Sequence, residues 1–408
     1  MIDLKYLREH TDELKAISAQ RGLKVDIDRW VKLDKRRSEL IPQVDELRAA
    51  LKLSGKPTPE ELADLQNAKQ ELSKKQDELQ YIEKEWQVLW GDIPNLIAPN
   101  TPEGGEEANR EERQAGTKPS GLEHYKDHLE LNEKLGFVDF ESGAKVAGSR
   151  FYYLKGPGVK LWRACVALIS DMIAEAGFEL MMVPNMVNAR VAEGTGFLPR
   201  GEERQIYKIE GEDLNLIATA ELPLTGIYMD EVIDVAKPIL LAGISPCYRM
   251  EAGTYGKFSK GLYRVHQFEK VEMYAYTRAE DSDAMLQRIL KLEESICTAL
   301  EIPYRVVRIA AGDLSAPAYE KYDIEYWNPT DDTWRELTSC SNCTDYQARR
   351  LNIRYRTEQD DLAHAHTLNG TAITSTRTLI ALLENHQTAD GGVRIPQALQ
   401  KYYGGDTL

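Results

Sequence analysis

The chain has 408 residues, of which 29% are charged, and its formal net charge at pH 7 is -15. This length indicates two or three domains, and the acidic balance argues against a generic nucleic-acid binder, so any basic footprint must be local. Five scattered cysteines exclude a disulfide framework and suit a reducing compartment. The sequence has no long apolar run and no apolar core near its start, so we expect a cytoplasmic protein with no membrane contact.

Two heptad patterns follow the first 24 residues, and they predict two helices packed as an antiparallel coiled coil. The break at residues 54–59 predicts the hairpin tip, with Thr58 as N-cap and Pro59 at the first helical position. Pro42 lies inside the first pattern, where a proline costs about 3 kcal/mol, so we expect a bend or two stacked segments. The heptad positions are Trp30, Leu33, Arg37, Leu40, Val44, Leu47 and Leu51, then Leu65, Ala68, Leu72, Lys75, Leu79, Ile82, Trp86 and Leu89.

The charges on this coiled coil leave its role open between a scaffold or oligomerisation rod and an RNA-binding arm. Residues 26–92 hold twelve Lys/Arg and fifteen Asp/Glu, so their net charge is 12 - 15 = -3. The basic residues nevertheless cluster, which permits contacts with phosphates. These clusters are Lys32, Lys35, Arg36 and Arg37, and then Arg48, Lys52 and Lys56.

The rest of the chain indicates a linker and a mixed body. Residues 98–120 are rich in Pro, Gly and Glu and are interpreted as a linker. Beyond them, strands joined by short loops predict an antiparallel sheet with flanking helices, an α+β fold. The predicted helices are 161–176 and 280–300, and the predicted strands are 179–183, 206–209, 214–218, 239–249, 262–276, 304–309, 322–327 and 333–338.

A predicted hairpin at residues 245–276 carries the most specific chemistry. Arg249 and Glu251 are two residues apart, so on a strand they share a face. Along the second strand one face holds Arg264, His266, Phe268, Lys270 and Glu272, and the other is mostly apolar. Arginine offers a planar fork for phosphate oxygens, and an exposed Phe ring can stack on a base. The pattern therefore suggests a nucleoside triphosphate ligand; the alternative is a solvated sheet face with surface ion pairs.

The hairpin sequence, CYRMEAG followed by YRVHQFEKVE, resembles the second signature motif of class II aminoacyl-tRNA synthetases, and in particular the seryl-tRNA synthetase version. Residues 178–189, with Pro184, resemble the first motif, which lies at a dimer interface in that family, and residues 367–387 resemble the third. IATAELPLT at 217–225 resembles the family's Thr-Ala-Glu loop, and RELTSCSN at 335–342 its metal and phosphate segment. The resemblance covers essentially the whole chain.

The resemblance implies an ATP site in which Arg249, Glu251 and Arg377 are the catalytic residues. Arg249 would hold the α-phosphate and the serine carboxylate, Arg377 the γ-phosphate, and Phe268 would stack on adenine. Glu336 and Ser339 would be linked to Mg²⁺; their spacing of three does not share a strand face, so a bulge or a strand end is required. The implied nucleotide-binding set is Arg249, Met250, Glu251, Val265, Phe268, Glu336, Leu337, Thr338, Ser339 and Arg377.

The resemblance also implies the substrates, the partners and the domain division. The enzyme would use ATP and Mg²⁺ to join L-serine to tRNA(Ser), and we expect tRNA(Sec) as well. It would be a homodimer, with a tRNA-binding arm at 1–97, the linker at 98–120 and a catalytic domain at 121–408. The implied serine-binding residues are Thr219, Ala220, Glu221, Arg249, Glu272, Asn369 and Thr371.

Several alternatives stay open at the level of sequence. Arg377 lies in the apolar stripe of what is predicted to be the last helix, where an internal salt bridge is the alternative to a phosphate ligand. The Cys340/Cys343 and His364/His366 pairs lack the regular spacing of a zinc site, and zinc is disfavoured. A paralogue that loads an amino acid onto a carrier or metabolite, and a non-catalytic binding paralogue, are the competing functions. The second would be expected to lose Arg249, Glu251 or Arg377.

Overall fold

The computed structural model describes residues 1–52, 59–197, 205–251 and 260–408. These residues form two compact units, Met1–Leu96 and Ile97–Leu408. The predicted α+β class is confirmed: a helical unit is followed by a large, mainly antiparallel sheet with helices. In the described ranges, no helix is long and apolar enough to cross a bilayer.

The first unit is helical and contains the predicted coiled coil. Asp3 and Asp26 cap α1 and α3 by accepting hydrogen bonds from backbone N–H groups of the first turn. The stacked rings of Trp30 and Trp86, 5.8 Å apart, lie in the core between α3 and α4. The four helices are α1 (Leu4–Glu9), α2 (Thr11–Gln20), α3 (Ile27–Ala50) and α4 (Pro59–Asp92).

The long helices run antiparallel, and Pro42 does not divide α3. Ion pairs join Arg29 to Glu85 and Arg36 to Glu78, which fixes opposite chain directions. The helix α3 continues through Pro42 as one element, so of the two expected outcomes, a bend or two stacked segments, the second is excluded. Its buried stripe, including Leu40 and Val44 on either side of the proline, holds it against its partner. The predicted tip at 54–59 and its cap Thr58, together with Lys56, lie outside the described residues apart from Pro59, at which α4 begins.

The second unit is built on a sheet of eight strands among the described residues, in the order β1-β9-β10-β11-β14-β8-β7-β4. All neighbours in it are antiparallel except β4 and β7. The strands of the unit are β1 (Arg110–Ala115), β2 (Val138–Asp139), β3 (Tyr153–Leu154), β4 (Glu179–Met182), β5 (Met186–Val187), β6 (Asn215–Leu216), β7 (Ile239–Tyr248), β8 (Gln267–Thr277), β9 (Tyr304–Arg308), β10 (Glu320–Asn328), β11 (Thr333–Asn342), β12 (Arg354–Arg356), β13 (Leu362–His364) and β14 (His366–Thr374).

Helices pack against this sheet. The helix that contains Arg377 was predicted to be the last one, but a further helix, Gln397–Tyr403, follows it. A capping box formed by Asp127 and Glu130 starts α5. The helices are α5 (His128–Leu135), α6 (Phe140–Ala147), α7 (Pro157–Glu175), α8 (Ala189–Thr195), α9 (Glu221–Gly226), α10 (Ser282–Ala299), α11 (Tyr346–Leu351), α12 (Arg377–Asn385) and α13 (Gln397–Tyr403).

Three local expectations need correction. The predicted linker 98–120 contains β1, which pairs with β9 at the edge of the sheet, so this segment is part of the folded body. Residues 206–209 form only a single bridge, between Lys208 and Asn215, and the strand predicted at 214–218 shrinks to β6. The strand predicted from 262 begins at Gln267, after a 3-10 turn at Gly261–Tyr263, because the chain must first turn back toward β7.

The central strand β8 is buried on both faces. Val271, Met273 and Ala275 belong to the main core, as the apolar alternation predicted. The opposite face is not solvated: Lys270 and Glu272 are also buried, and the next residues on that side enter a second apolar cluster. A charged face buried in this way needs compensating partners, and they lie around a cavity.

Candidate active site

A cavity of about 540 Å³ opens on this charged face of the sheet. It brings together residues from β8, β10, β11, β14, the chain that follows β7 and the start of α12. Of the residues implied by the sequence, Thr219, Glu221, Arg249, Glu251, Val265, Phe268, Glu272, Glu336, Leu337, Thr338, Ser339, Asn369, Thr371 and Arg377 line it. Ala220 and Met250 do not: Ala220 is fully buried before α9, and the Met250 backbone N–H donates to the Gln205 carbonyl at 2.9 Å.

Arg249 lies just beyond the end of β7, and its side chain packs over the ring of Phe268. Its Nε donates to the carbonyl of Ala218 at 3.3 Å, and its guanidinium carbon lies 5.1 Å from the centre of the Phe268 ring. The Phe268 ring is only 9% exposed and packs with Cys247 and Val265, so the expectation of an exposed ring was wrong. The Arg249 guanidinium therefore makes a cation–π contact with the Phe268 ring, and both side chains face the cavity.

Glu251, Arg264 and His266 are not on strands, contrary to the hairpin interpretation. β7 ends at Tyr248, and Glu251 has φ 46°, in the left-handed region. Arg264 Nη1 donates to Glu251 Oε2 at 3.1 Å, and His266 Nδ1 lies 2.9 Å from the carbonyl of Arg249. Arg249, Glu251 and Arg264 still line the cavity, because the turn returns the chain alongside β7.

Arg377 and Glu336 form an ion pair at the rim of the cavity. Arg377 Nη1 lies 2.6 Å from Glu336 Oε1, and the side chains are 32% and 43% exposed. Partial burial works to raise the pKa of Glu336, but the charges of Arg377 and Lys321 outweigh it and lower that pKa to about 2. Glu336 in turn raises the pKa of Arg377. Both groups are therefore charged at neutral pH.

Glu336 and Ser339 reach the same cavity through a β-bulge, as their spacing required. In the pairing of β10 with β11, Ile324 lies opposite Thr338 and Glu325 opposite Glu336, so Leu337 is the extra residue. One inserted residue restores a common face to positions three apart. Of the two expected irregularities, a bulge or a strand end, the bulge is the one that occurs.

Lys321 and Asp323 on β10 were not recognised in the sequence as candidates. Lys321 Nζ lies 3.0 Å from Asp323 Oδ1, and Lys321 lines the cavity. Burial works to lower the pKa of Lys321, but Asp323 and Glu336 overcome it and raise that pKa. The available signal was the alternation of charges at 321, 323 and 325, which is also typical of a solvent face.

The far end of the cavity is acidic and deeply buried. Glu221 is 6% and Glu272 1% exposed. Lys270 forms an ion pair with Glu272, and its Nζ donates to Thr219 Oγ1 at 3.2 Å. Gln347 Nε2 donates to Glu221 Oε1 at 2.7 Å. The Thr-Ala-Glu loop and β8 therefore meet in a small polar chamber.

The pKa values of the two carboxyls in this chamber are raised. Burial, with repulsion from Glu272, raises the pKa of Glu221 to about 7. Burial also raises the pKa of Glu272, against the opposing effect of Lys270. These raised pKa values follow from burying two carboxyls beside a single lysine, so a further cation would favour their ionised forms.

Asn369 and Thr371 close the chamber from β14. Thr371 lies opposite Glu272 in the pairing of β14 with β8, and a bulge follows at Ala372. Asn369 Nδ2 lies 3.8 Å from the sulfur of Cys343, a buried thiol that also lines the cavity. Among the described residues, no group of three or more His, Cys, Asp or Glu side chains is placed to hold a metal by itself.

Comparisons with known proteins identify the family. The model of the seryl-tRNA synthetase N-terminal domain matches residues 1–97, and that of the class II tRNA synthetase core domain (G, H, P, S and T) matches residues 206–386. A serine--tRNA ligase of Rubrobacter xylanophilus is 45% identical over 419 residues, covering 100% of this chain and 99% of its own. One of Dictyoglomus turgidum is 46% identical, covering 99% and 98%.

Solved structures agree. Seryl-tRNA synthetase from Pyrococcus horikoshii complexed with ATP superimposes with a TM-score of 0.91 at 38% identity, covering 100% of this chain and 99% of that one. The cytoplasmic serine-tRNA ligase from Naegleria fowleri in complex with AMP does so with a TM-score of 0.86 at 30% identity, covering 100% and 98%. Because sequence and fold match over the full length of both units, the chain belongs to the seryl-tRNA synthetase family of class II aminoacyl-tRNA synthetases.

Proposed function

We propose that the protein activates L-serine with ATP to form seryl-adenylate and transfers the serine to tRNA(Ser), and to tRNA(Sec) as well. The observation that carries this is the polarity of one cavity: Arg249, Arg377 and Phe268 line one part of it, and buried Glu221 and Glu272 line another. A polyanion with a flat base fits the first part, and a small ammonium compound fits the second.

The reaction needs positioning more than bond chemistry from the protein. The serine carboxylate attacks the α-phosphorus of ATP in line, and pyrophosphate leaves. Arg249 contacts both Phe268 and the carbonyl of Ala218, next to the Thr-Ala-Glu loop, so it could neutralise charge on the carboxylate and on the α-phosphate together. Arg377 would leave Glu336 for the γ-phosphate, a more highly charged partner. Glu251 would accept hydrogen bonds from the adenine edge, with Val265, Leu337 and Thr338 beside the nucleotide, whereas Met250 lies outside the cavity.

The acidic chamber accounts for the choice of amino acid. The serine ammonium would add a second positive charge, besides Lys270, next to Glu221 and Glu272, while Thr219, Asn369 and Thr371 provide hydrogen-bonding groups for the hydroxyl. Alanine would leave such groups unpaired in a dry site, which disfavours it. Ala220 contributes by its backbone position rather than by its side chain.

The residues present suit a magnesium ion bound together with ATP. Mg²⁺ takes oxygen ligands and is usually held by one or two protein groups plus phosphates. The Glu336 carboxylate and the Ser339 hydroxyl provide such oxygens on one side of the cavity. When bound, the ion would neutralise phosphate charge, and Glu336, released from Arg377, would be free to contact it.

We also infer a cytoplasmic homodimer with the first unit, Met1–Leu96, as an arm directed at tRNA, and with the second unit, Ile97–Leu408, which includes β1, as the catalytic body. The dimer is supported by the edge strand β4 and the chain after it, where Leu180, Met182 and Met186 are 39%, 81% and 43% exposed. Such an apolar edge on a sheet is typical of a contact surface.

The function is tested by serine-dependent exchange of pyrophosphate into ATP, followed by charging of tRNA(Ser). We expect exchange with serine and not with alanine or threonine, and stable esterification of tRNA. Exchange without tRNA charging would favour the carrier-loading alternative, and no exchange with any amino acid would favour a binding paralogue.

A further inference from the structure

A buried histidine beside the nucleotide half of the cavity has no role in the chemistry described so far. His128 is the first residue of α5 and is 1% exposed. Its Nε2 lies 3.2 Å from the backbone nitrogen of Leu262, in the turn Gly261–Tyr263 that leads into β8. Its Nδ1 lies 3.0 Å from Oε1 of Glu384, a fully buried carboxyl on α12.

The hydrogen-bond partners determine the tautomer of this ring. A backbone N–H can only donate, so Nε2 must be the unprotonated nitrogen that accepts from Leu262. The ring proton is then on Nδ1, where it donates to Glu384. Glu384 Oε1 also accepts from the backbone N–H of His128 at 3.0 Å, which holds the start of α5 against α12. The ring is thus held from both edges.

The turn approaches the ring too closely for any side chain at position 261. Gly261 has φ 61°, and a Cβ atom built there would lie 2.2 Å from His128 Nε2. Glycine is therefore required for two reasons, a left-handed backbone and a close approach. A contact that excludes a methyl group fixes the path of the chain immediately before β8.

The same contacts reach the cavity through Tyr263. Its ring, which lines the cavity, meets His128 edge-on at 5.3 Å. Its hydroxyl lies 2.9 Å from that of Tyr326, accepts from Asn328 Nδ2 at 3.0 Å, and donates to Glu384 Oε2 at 3.4 Å. Arg335 lies over its ring at 4.6 Å. The hydroxyl of Tyr263 is therefore tied to α12 and β10 at once.

The helix α12 connects this network to the phosphate clamp. It begins at Arg377, and Glu384 lies seven residues further along, about 10 Å away in a helix. One rigid element thus holds the proposed γ-phosphate ligand at one end and the partner of His128 near the other. The turn that carries Tyr263 packs against that element through Leu262, and it is hydrogen-bonded to it through His128 and Glu384.

We propose that His128 is a positioning residue for the nucleotide half of the active site, acting through the Leu262 backbone and Tyr263. This rests on the proposed function. His128 does not line the cavity. Its Nε2 accepts a hydrogen bond from Leu262, and its Nδ1 donates one to Glu384. These two bonds align the turn with α12, which fixes the positions of Tyr263 and of the start of β8 for ATP binding.

Two substitutions separate the two edges of the ring. His128→Gln places an amide oxygen near the position of Nε2 and keeps an acceptor for Leu262. His128→Asn places an amide N–H near the position of Nδ1 and keeps the bond to Glu384, but leaves the Leu262 N–H buried without an acceptor. Glu133→Gln, at an exposed position on the same helix, is the matched control.

In pyrophosphate exchange we expect His128→Asn to raise the KM for ATP about tenfold, as for one lost buried hydrogen bond. The KM for serine should stay within about twofold, and His128→Gln should stay within about threefold for both substrates. Equal effects of Gln and Asn, or equal increases in both KM values, would overturn the proposal.

Tyr263→Phe gives an independent test if His128→Asn does not fold, which circular dichroism would show. This change keeps the ring and removes the hydroxyl that joins Glu384, Tyr326 and Asn328. We expect a higher KM for ATP with an unchanged KM for serine, and unchanged ATP binding would overturn the inference. Activity of the unaltered enzyme separates the two claims, because without serine-dependent exchange in that enzyme the proposed function itself fails.

Discussion

Arg377 is the residue at which two interpretations of the sequence meet. An inward arginine on an amphipathic helix indicates either an internal salt bridge or a ligand contact, and the structure contains the pair with Glu336. Its location favours the second use, because both side chains are partly exposed at the rim of the cavity rather than enclosed. In the proposed function, this ion pair would hold the guanidinium in place until a phosphate displaces the carboxylate.

Replacing Arg377 with alanine should remove most of the activation step. Loss of one charge-assisted phosphate contact costs about 3 kcal/mol, so we expect pyrophosphate exchange to fall about a hundredfold or more. Arg356→Ala is the matched control, since that arginine is 60% exposed and pairs with Asp360. Near-normal exchange in Arg377→Ala would contradict the assignment of the phosphate clamp.

Serine binding should strengthen as the pH rises from 6 to 8. The pKa of Glu221 is raised to about 7, so the carboxyl is neutral below that pH and ionised above it. A serine ammonium prefers the ionised form, so the KM for serine should be about tenfold higher at pH 6 than at pH 8. The KM for ATP, measured in the same exchange assay, serves as the internal control.

The Glu221→Gln variant should remove this pH dependence and raise the KM for serine. The raised pKa of Glu221 also stabilises the folded chain below the ordinary carboxyl range and loses that contribution as the pH rises through about 7. The variant should therefore gain thermal stability relative to the unaltered enzyme at pH 8 and not at pH 4.5. A pH profile of serine binding unchanged by the substitution would place the ammonium elsewhere.

At the level of elements, spacing was informative where a backbone irregularity had to exist. Glu336 and Ser339 could share a cavity only if β11 ended or contained an extra residue between them, and Leu337 is that extra residue. The start of β8 was missed for the opposite reason. The alternation of polar and apolar residues continues through 262–266, yet the chain turns there. The turn packs closely against His128 at Gly261, and His128 belongs to α5, more than a hundred residues earlier in the sequence.

Pro42 should lower the local stability of α3 even though the helix continues through it. A helix-interior proline removes one backbone hydrogen bond, and the buried stripe of the coiled coil compensates for it. We expect Pro42→Ala to stabilise this stretch by about 1–3 kcal/mol, seen as slower amide hydrogen exchange around residues 38–46. Glu46→Ala, a change at an exposed position of the same helix, should have little effect; equal exchange in both variants would contradict the prediction.

At the level of the whole molecule, many charged residues of the arm are explained by ion pairs between its own two long helices. Several of its arginines pair with acids across the two helices, as Arg36 does with Glu78 and Arg37 with Glu83. These residues stabilise the hairpin, which weakens the sequence-based suggestion that they meet RNA phosphates. Exposed Lys32, Lys35 and Lys52 are better placed to do so.

Deleting residues 1–96 should separate the two halves of the reaction. The residues that line the cavity all belong to the second unit, so serine-dependent pyrophosphate exchange should persist. Charging of tRNA(Ser) should fall at least about a hundredfold, because phosphate contacts dominate affinity for nucleic acids. A full-length Lys32→Ala/Lys35→Ala variant should lose part of this charging in a salt-dependent manner. Normal charging by the truncated chain would make the arm a scaffold.

Introducing a charge into the apolar edge next to β4 should dissociate the proposed dimer. Met182 is 81% exposed on that edge, and an aspartate there would have to be buried in any contact between copies. We expect Met182→Asp to be monomeric by light scattering. Leu362→Asp, at a 47% exposed position on β13, should leave the mass unchanged. A dimeric Met182→Asp would place the interface elsewhere.

Local order in the sequence was enough for the family, the α+β class, the coiled coil and most of the candidate site, since heptads, alternation and motif strings are properties of short segments. The burial of Phe268, Lys270 and Glu272, the recruitment of Lys321, the place of β1 in the sheet and the contact of His128 with Leu262 were not accessible in the same way. Each depends on segments distant in the chain that meet only after folding, because burial and pairing are set by what packs against a residue and not by its neighbours in sequence.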